Sequence, residues 1–183
     1  MKFYPNQPHH PHHELARKHW PRLKRFFKSK VVEPDCYDLT QESLLAFIRT
    51  DPQSIRNPEA YLWGIARKRL VGYYERKRPT EKFESTRISA AEIGGSLSSQ
   101  LDRRRRLVGA LARLPMDQQV AFELRFGEGL QLQEVADAME LSLATIKRYL
   151  SKATESLREI LERPEFADAH ANEQMVVEAY RAD

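Results

Sequence analysis

The spacing of the apolar residues is what most limits this chain. Where they recur in order the interval is three or four, and no stretch alternates apolar and polar residues as a half-buried strand does. That period predicts an all-α fold. Within residues 14–30, Leu23, Phe26 and Phe27 form an apolar stripe among basic residues, an amphipathic helix that Pro21 starts or kinks. Residues 38–49 place Leu39, Leu44, Leu45 and Ile48 on a second stripe. Asp38 stands as its N-cap, Gln41 falls in its first turn, and Asp51-Pro52 ends it. Asn57-Pro58-Glu59 supplies a cap, a first-turn proline and a first-turn acid for a third helix, which runs to about Lys77. Leu62, Ile65, Ala66, Leu70 and Tyr73 make its buried stripe, and it closes on Arg76-Lys77-Arg78.

The periodicity fails from Pro79 to about Gln100, where Ser, Gly and Thr gather around Gly94-Gly95-Ser96. A structureless stretch of that length is uncommon inside one domain, so it is read as a flexible linker. The predicted organisation is two small helical domains, 14–78 and 101–163, joined by a linker over 79–100. A His/Pro-rich tail (1–13) precedes them and an acidic tail (164–183) follows. The 183 residues allow each domain only a modest core.

Composition removes several classes of function. No run of about 18 apolar residues occurs, so no membrane span is expected. The N-terminal residues are polar and Pro-rich rather than an apolar secretory segment. A lone cysteine, Cys36, excludes an internal disulfide framework and a Cys-rich zinc site. These features point to a cytoplasmic protein without contact of its own with a membrane. His9, His10, His12 and His13 are a possible metal tract, but no carboxylate or thiol accompanies them at a fixed spacing. They are read as tail, with no metal and no cofactor expected. The net charge of +4 hides an uneven layout: residues 1–78 carry +8 and residues 164–183 carry −4. A basic front half calls for a polyanion, and nucleic acid fits best.

The second domain holds the most informative segment. One helix over roughly Leu101 to Arg113 is broken at Leu114-Pro115, and another from Met116 to Arg125 is stopped by Gly127 and Gly129. A short helix then carries Leu132, Val135, Ala136 and Met139 inward. After the turn Glu140-Leu141-Ser142, a longer helix carries Ile146, Leu150, Ala153 and Leu157 inward, with Ser142 as its N-cap. Ala136 is small enough for a close crossing, and Leu141 is the apolar residue of the turn. This is a helix-turn-helix, whose second helix enters the major groove of DNA. Ala144, Lys147, Arg148, Ser151 and Lys152 face outward on it, suiting phosphate contacts and base-edge readout. A plain helical hairpin with a solvated charged face would share the cations, but not the coincidence of cap, turn and small residue.

The layout resembles the extracytoplasmic-function class of bacterial sigma factors, over roughly residues 14–162. Asp38-Leu39-Thr40-Gln41-Glu42 is similar to the family's polymerase-docking motif, and Asn57-Pro58 through Trp63 to Ile65-Ala66-Arg67 resembles its next helix. Leu114-Pro115 through Glu134-Val135-Ala136 to Thr145-Ile146-Lys147 is similar to the domain that reads the −35 promoter element. Two positions depart from the family pattern: Lys68 and Gly72 stand where relatives often carry Asn or Asp, near the loop that captures a −10 base.

The resemblance implies a sigma factor that binds bacterial core RNA polymerase and promoter DNA, is held by an anti-sigma factor and performs no covalent chemistry. Polymerase binding falls to Asp38, Leu39, Gln41, Glu42 and Leu45, with core packing an equal alternative for Leu45. The −10 element falls to Trp63, Arg67, Lys68, Tyr74, Arg76, Lys77 and Arg78. Trp63 and Tyr74 are the open aromatics there, and Tyr73 points inward. The −35 element falls to Ala144, Thr145, Lys147, Arg148, Ser151 and Lys152. The alternative is a helix-turn-helix regulator that does not join polymerase. A DNA recombinase would need a nucleophile such as Ser43 beside converging arginines.

Overall fold

Every regular element among the described residues, 11–77 and 106–162 of this computed structural model, is helical. The chain divides into two compact units, residues 1–77 and 78–183. The linker 79–100, the acidic tail and residues 1–10 with His9 and His10 lie outside the described residues.

In the first unit, helix α1 spans Pro11–Lys28 and buries Ala16, His19, Leu23, Phe26 and Phe27. It begins three residues before the start that the spacing predicts. A proline at the first helical position loses no hydrogen bond. His12 then packs inward: its ring stacks on Phe47 at 4.1 Å and its Nδ1 lies 3.0 Å from the Phe47 carbonyl oxygen. His12 is therefore core rather than tail, because one ring nitrogen finds a backbone partner while the ring face covers an apolar surface. The helix runs through Pro21 without ending. The lost backbone bond, worth about 3 kcal/mol with its steric clash, is offset by burying Leu23, Phe26 and Phe27 at about 1.5–3 kcal/mol each.

Helix α2 spans Asp35–Ile48 and follows Pro34, which makes no side-chain cap. Asp38 is thus a first-turn residue and not the cap. The carboxylates of Asp35 and Asp38 both suit the positive end of the helix dipole. The buried hydroxyls of Thr40 and Ser43 donate to the carbonyls of Cys36 and Leu39, both at 2.7 Å. Asp51 caps a 3-10 turn over Pro52–Ser54, its Oδ1 accepting from the Gln53 amide at 3.0 Å.

Helix α3 spans Pro58–Lys77, and Asn57 caps it as the sequence predicts, with Oδ1 accepting from the Ala60 amide at 3.1 Å. Its buried residues are Ala60, Leu62, Trp63, Ala66, Leu70 and Tyr73. Ile65 is only half-buried, and Trp63 takes the place expected for it. The α1 and α3 stripes meet around this indole: Phe26 lies edge-on at 5.5 Å and His19 at 6.2 Å.

The second unit opens on a helix, α4, described over residues 106–111, which buries Leu107, Ala110 and Leu111. Helix α5, Met116–Phe122, continues into a π-turn, Glu123–Gly127, rather than running as α-helix to Arg125. The wide turn, closed by Glu128 N–H to the Glu123 carbonyl at 2.9 Å, keeps Glu123 and Leu124 both buried. Gln119 Nε2 donates to the Glu123 carboxylate at 3.0 Å, so this buried polar group is satisfied. Gly129, at φ 76°, then turns the chain into α6, Leu132–Met139, and α7, Leu143–Glu162, follows.

Candidate functional site

The joint between α6 and α7 is built by local hydrogen bonds. Glu140 adopts the left-handed conformation at φ 55°, which lets the Leu141 amide reach the Ala136 carbonyl at 3.0 Å and the Glu140 amide reach Asp137 at 3.2 Å. These are the paired bonds of a Schellman motif, which satisfies orphan carbonyls at the end of α6. Two residues on, Ser142 caps α7: its Oγ accepts from the Thr145 amide at 3.1 Å. The Thr145 hydroxyl lies 2.8 Å from the same oxygen, so Thr145 serves the cap before it can serve DNA.

Past that cap, α7 sorts its residues by face. Ile146, Leu150, Ala153, Leu157 and Ile160 are buried, while Ala144, Lys147, Arg148, Ser151 and Lys152 are exposed. Among the described residues Lys147, Arg148 and Lys152 have no ion pair. Three cations uncompensated among the described residues, spaced along a helix that leaves a tight turn, form a surface to which a polyanion can bind.

The end of α3 is more encumbered than its sequence suggests. Lys68, Arg76 and Lys77 are exposed and Arg67 is half-buried, whereas Arg78 lies outside the described residues. Lys77 Nζ donates to Asp35 Oδ2 at 2.9 Å and sits 4.7 Å over the Tyr73 ring, and the Tyr73 hydroxyl donates to the same Asp35 oxygen at 2.8 Å. The bonds from Lys77 and Tyr73 hold the Asp35 carboxyl below the usual carboxylate range, and those to Tyr73 and Asp35 raise the Lys77 ammonium well above its ordinary value. The two aromatics expected to be open are not. Trp63 is completely buried, a core residue between α1 and α3. Tyr74 is half-buried, and its hydroxyl donates to the Lys30 carbonyl. Tyr61 is the exposed aromatic of this helix, at 41%.

On α2, Asp38, Glu42, Leu45 and Arg49 are exposed at intervals of three and four, forming one outward face. Leu45 is 50% exposed, so core packing does not explain it. Leu39 is buried and therefore supports this face from beneath instead of contacting a partner. Gln41 is half-buried, and Glu42 pairs with Arg69 of α3 at 3.3 Å.

Cys36 is buried, and that burial pushes its thiol pKa up, against a role as a reactive thiolate. Ser43 is buried with its hydroxyl donated to a backbone carbonyl, which removes it as a nucleophile. Among the described residues, no group of three or more His, Cys, Asp or Glu is placed to hold a metal ion, and no helix is long and apolar enough to cross a membrane.

Two helical units, one carrying a capped helix-turn-helix with a bare cationic face, define a modular DNA-binding protein. Residues 104–157 match the family model described as Sigma-70, region 4. The ferric citrate uptake sigma factor FecI of Escherichia coli strain K12 is 29% identical over 140 residues, spanning 73% of this chain and 80% of FecI. The fold is similar to that of the sigma factor RpoE of Bartonella quintana, solved in complex with the anti-sigma factor NepR. The TM-score is 0.63 at 24% identity, over 83% of this chain and 97% of that one. It is also similar to CnrH, solved in complex with the cytosolic domain of CnrY, with a TM-score of 0.59 at 19% identity over 82% and 87% of the two chains. Over most of its length the chain is thus similar to RNA polymerase sigma factors of the extracytoplasmic-function type, and its second unit matches region 4 of the sigma-70 family.

Proposed function

We propose that this chain is a sigma factor that works by positioning alone, through three surfaces that each touch a different part of the initiation complex. The outward face of α2 docks on core RNA polymerase: Asp38, Glu42 and Gln41 offer acceptors to a basic surface, and exposed Leu45 adds apolar contact. The basic end of α3, with Lys68, Arg76, Lys77 and Arg78, holds the −10 element by phosphate contact. Helix α7 reads the −35 element in the major groove through Lys147, Arg148, Ser151 and Lys152, with Ala144 allowing close approach. The domains doing this work are residues 11–78 and 101–163, with 79–100 as the span between promoter elements. The protein performs no catalysis of its own, acts in the cytoplasm, and is held inactive by an anti-sigma factor, as the two similar structures with bound partners suggest.

The observation that carries this reading is the exposed cationic face, without an ion pair among the described residues, on the recognition helix directly after the Ser142 cap. Its test is transcription in vitro with purified core polymerase on a promoter library. Specific initiation that depends on added protein is expected. Sequence-specific DNA binding without any initiation would instead favour a helix-turn-helix regulator that does not join polymerase.

A further inference from the structure

One carboxylate at the basic end of α3 has no part in the surfaces above. Asp35 opens α2, yet its side chain reaches across to the last turn of α3, where one oxygen accepts from both Tyr73 and Lys77. The ammonium of Lys77 thus meets an anion and an aromatic face together. Those are the two kinds of group, phosphate and base, that a nucleic-acid strand presents to a protein. The side chains of Lys77 and Asp35 remain 54% and 34% exposed, so a polyanion can reach the pair. An ion pair this open contributes little to stability.

We propose that Asp35 is an internal competitor for promoter phosphate: it occupies on Lys77 the place of a DNA backbone phosphate and so lowers the affinity of the free protein for DNA. The inference rests on the reading that the basic end of α3 meets DNA. A phosphate arriving at Lys77 must either displace the Asp35 carboxylate or sit beside a like charge, and both weaken its binding. Hydrogen bonds from Lys77 and Tyr73 keep Asp35 ionised at neutral pH, so the competition is permanent rather than titrated. Specific promoter contacts made within the holoenzyme overcome it, while binding to arbitrary DNA does not.

The test uses the full chain and a labelled mixed-sequence DNA duplex, with affinity measured by fluorescence anisotropy across a series of salt concentrations. Asp35→Asn is expected to bind about five-fold more tightly at low salt, and its log affinity to fall more steeply with log salt by about 0.9, the contribution of one added phosphate contact. The double variant Asp35→Asn/Lys77→Gln should lose the gain, binding no more tightly than Lys77→Gln alone. Asp35→Ser, which keeps a side chain suited to a helix start, repeats the measurement, and thermal melting confirms that each variant is folded. Folded Asp35 variants that bind no more tightly than wild type overturn the proposal, as does a gain that survives removal of Lys77. Arg76→Gln separates the two levels: weaker binding by this variant keeps the α3 reading even where Asp35 proves inert. Unchanged binding removes that reading and the proposal with it.

Discussion

His19 shows how much a single residue owes to its surroundings. It is fully buried on α1 beside Trp63, with Glu59 Oε1 3.4 Å from its Nε2. Burial, and then the nearby charges of Arg22 and Lys18, lower its pKa from 6.5 to about 4. The unfolded chain therefore takes up a proton near 6.5 that the folded chain refuses until about 4. Stability from this residue is complete above 6.5 and is lost as pH falls through that window. His19→Gln should flatten the pH dependence of urea unfolding, by up to about 2 kcal/mol between pH 7 and pH 5. Identical pH profiles for the two proteins would contradict this. Gly72 is the converse case, since a Cβ there meets nothing within 4 Å. Gly72→Ala should stabilise α3 by about 0.5–1 kcal/mol in thermal melts. On α7, Arg148→Ala should weaken −35 recognition by about 1–3 kcal/mol and relax its sequence preference in run-off transcription. Unchanged promoter choice would remove Arg148 from base readout.

At the scale of the element, starts and stops decide what each helix presents. The end of α6 rests on a glutamate in a conformation that favours glycine. Glu140→Gly should relieve the Cβ strain of about 1–2 kcal/mol, partly offset by the greater entropy of an unfolded glycine, for a net gain of about 0.5 kcal/mol. Glu140→Val should destabilise the second unit by more than about 1 kcal/mol, because a β-branched residue tolerates positive φ poorly. Calorimetric melts of both variants check the sign. The helix-turn-helix was legible because its signals are local: the Ser142 cap, the apolar spacing and the cationic intervals all lie within a few turns of chain. Along α3 the burial of Trp63 was legible in principle. At about 100° per residue it falls about 65° from the mean direction of Leu62, Ala66, Leu70 and Tyr73, against about 95° for Ile65. Spacing alone accepted the isoleucine, and only the helical wheel separates the two. The start of α2 was not legible, because Pro34 makes no side-chain cap and the nearest acid that looked like one, Asp38, sits a turn further in.

At the scale of the whole molecule, the proposed function divides the work of initiation between the two units. Leu45→Asp changes an exposed side chain, so it should leave stability within about 0.5 kcal/mol of wild type while sharply reducing retention on core polymerase in a pull-down. Its affinity for mixed-sequence DNA should be kept. Arg148→Ala should do the reverse, and loss of both properties in either variant would show that the surfaces are not separable. By itself the sequence determined the helical class, the division into two modules, the cap and turn of the DNA-reading motif and the outward set Ala144, Lys147, Arg148, Ser151 and Lys152. Each of these follows from periodicity or from hydrogen bonds between near neighbours along the chain. Only the tertiary structure decided that His12 belongs to the core, that Leu39 lies beneath the α2 face while Leu45 stands on it, and that Lys77 is held by Asp35. Those outcomes depend on which surfaces of α1, α2 and α3 meet. Residues 35 and 77 come within hydrogen-bonding distance through packing, and no local rule of spacing or charge relates them.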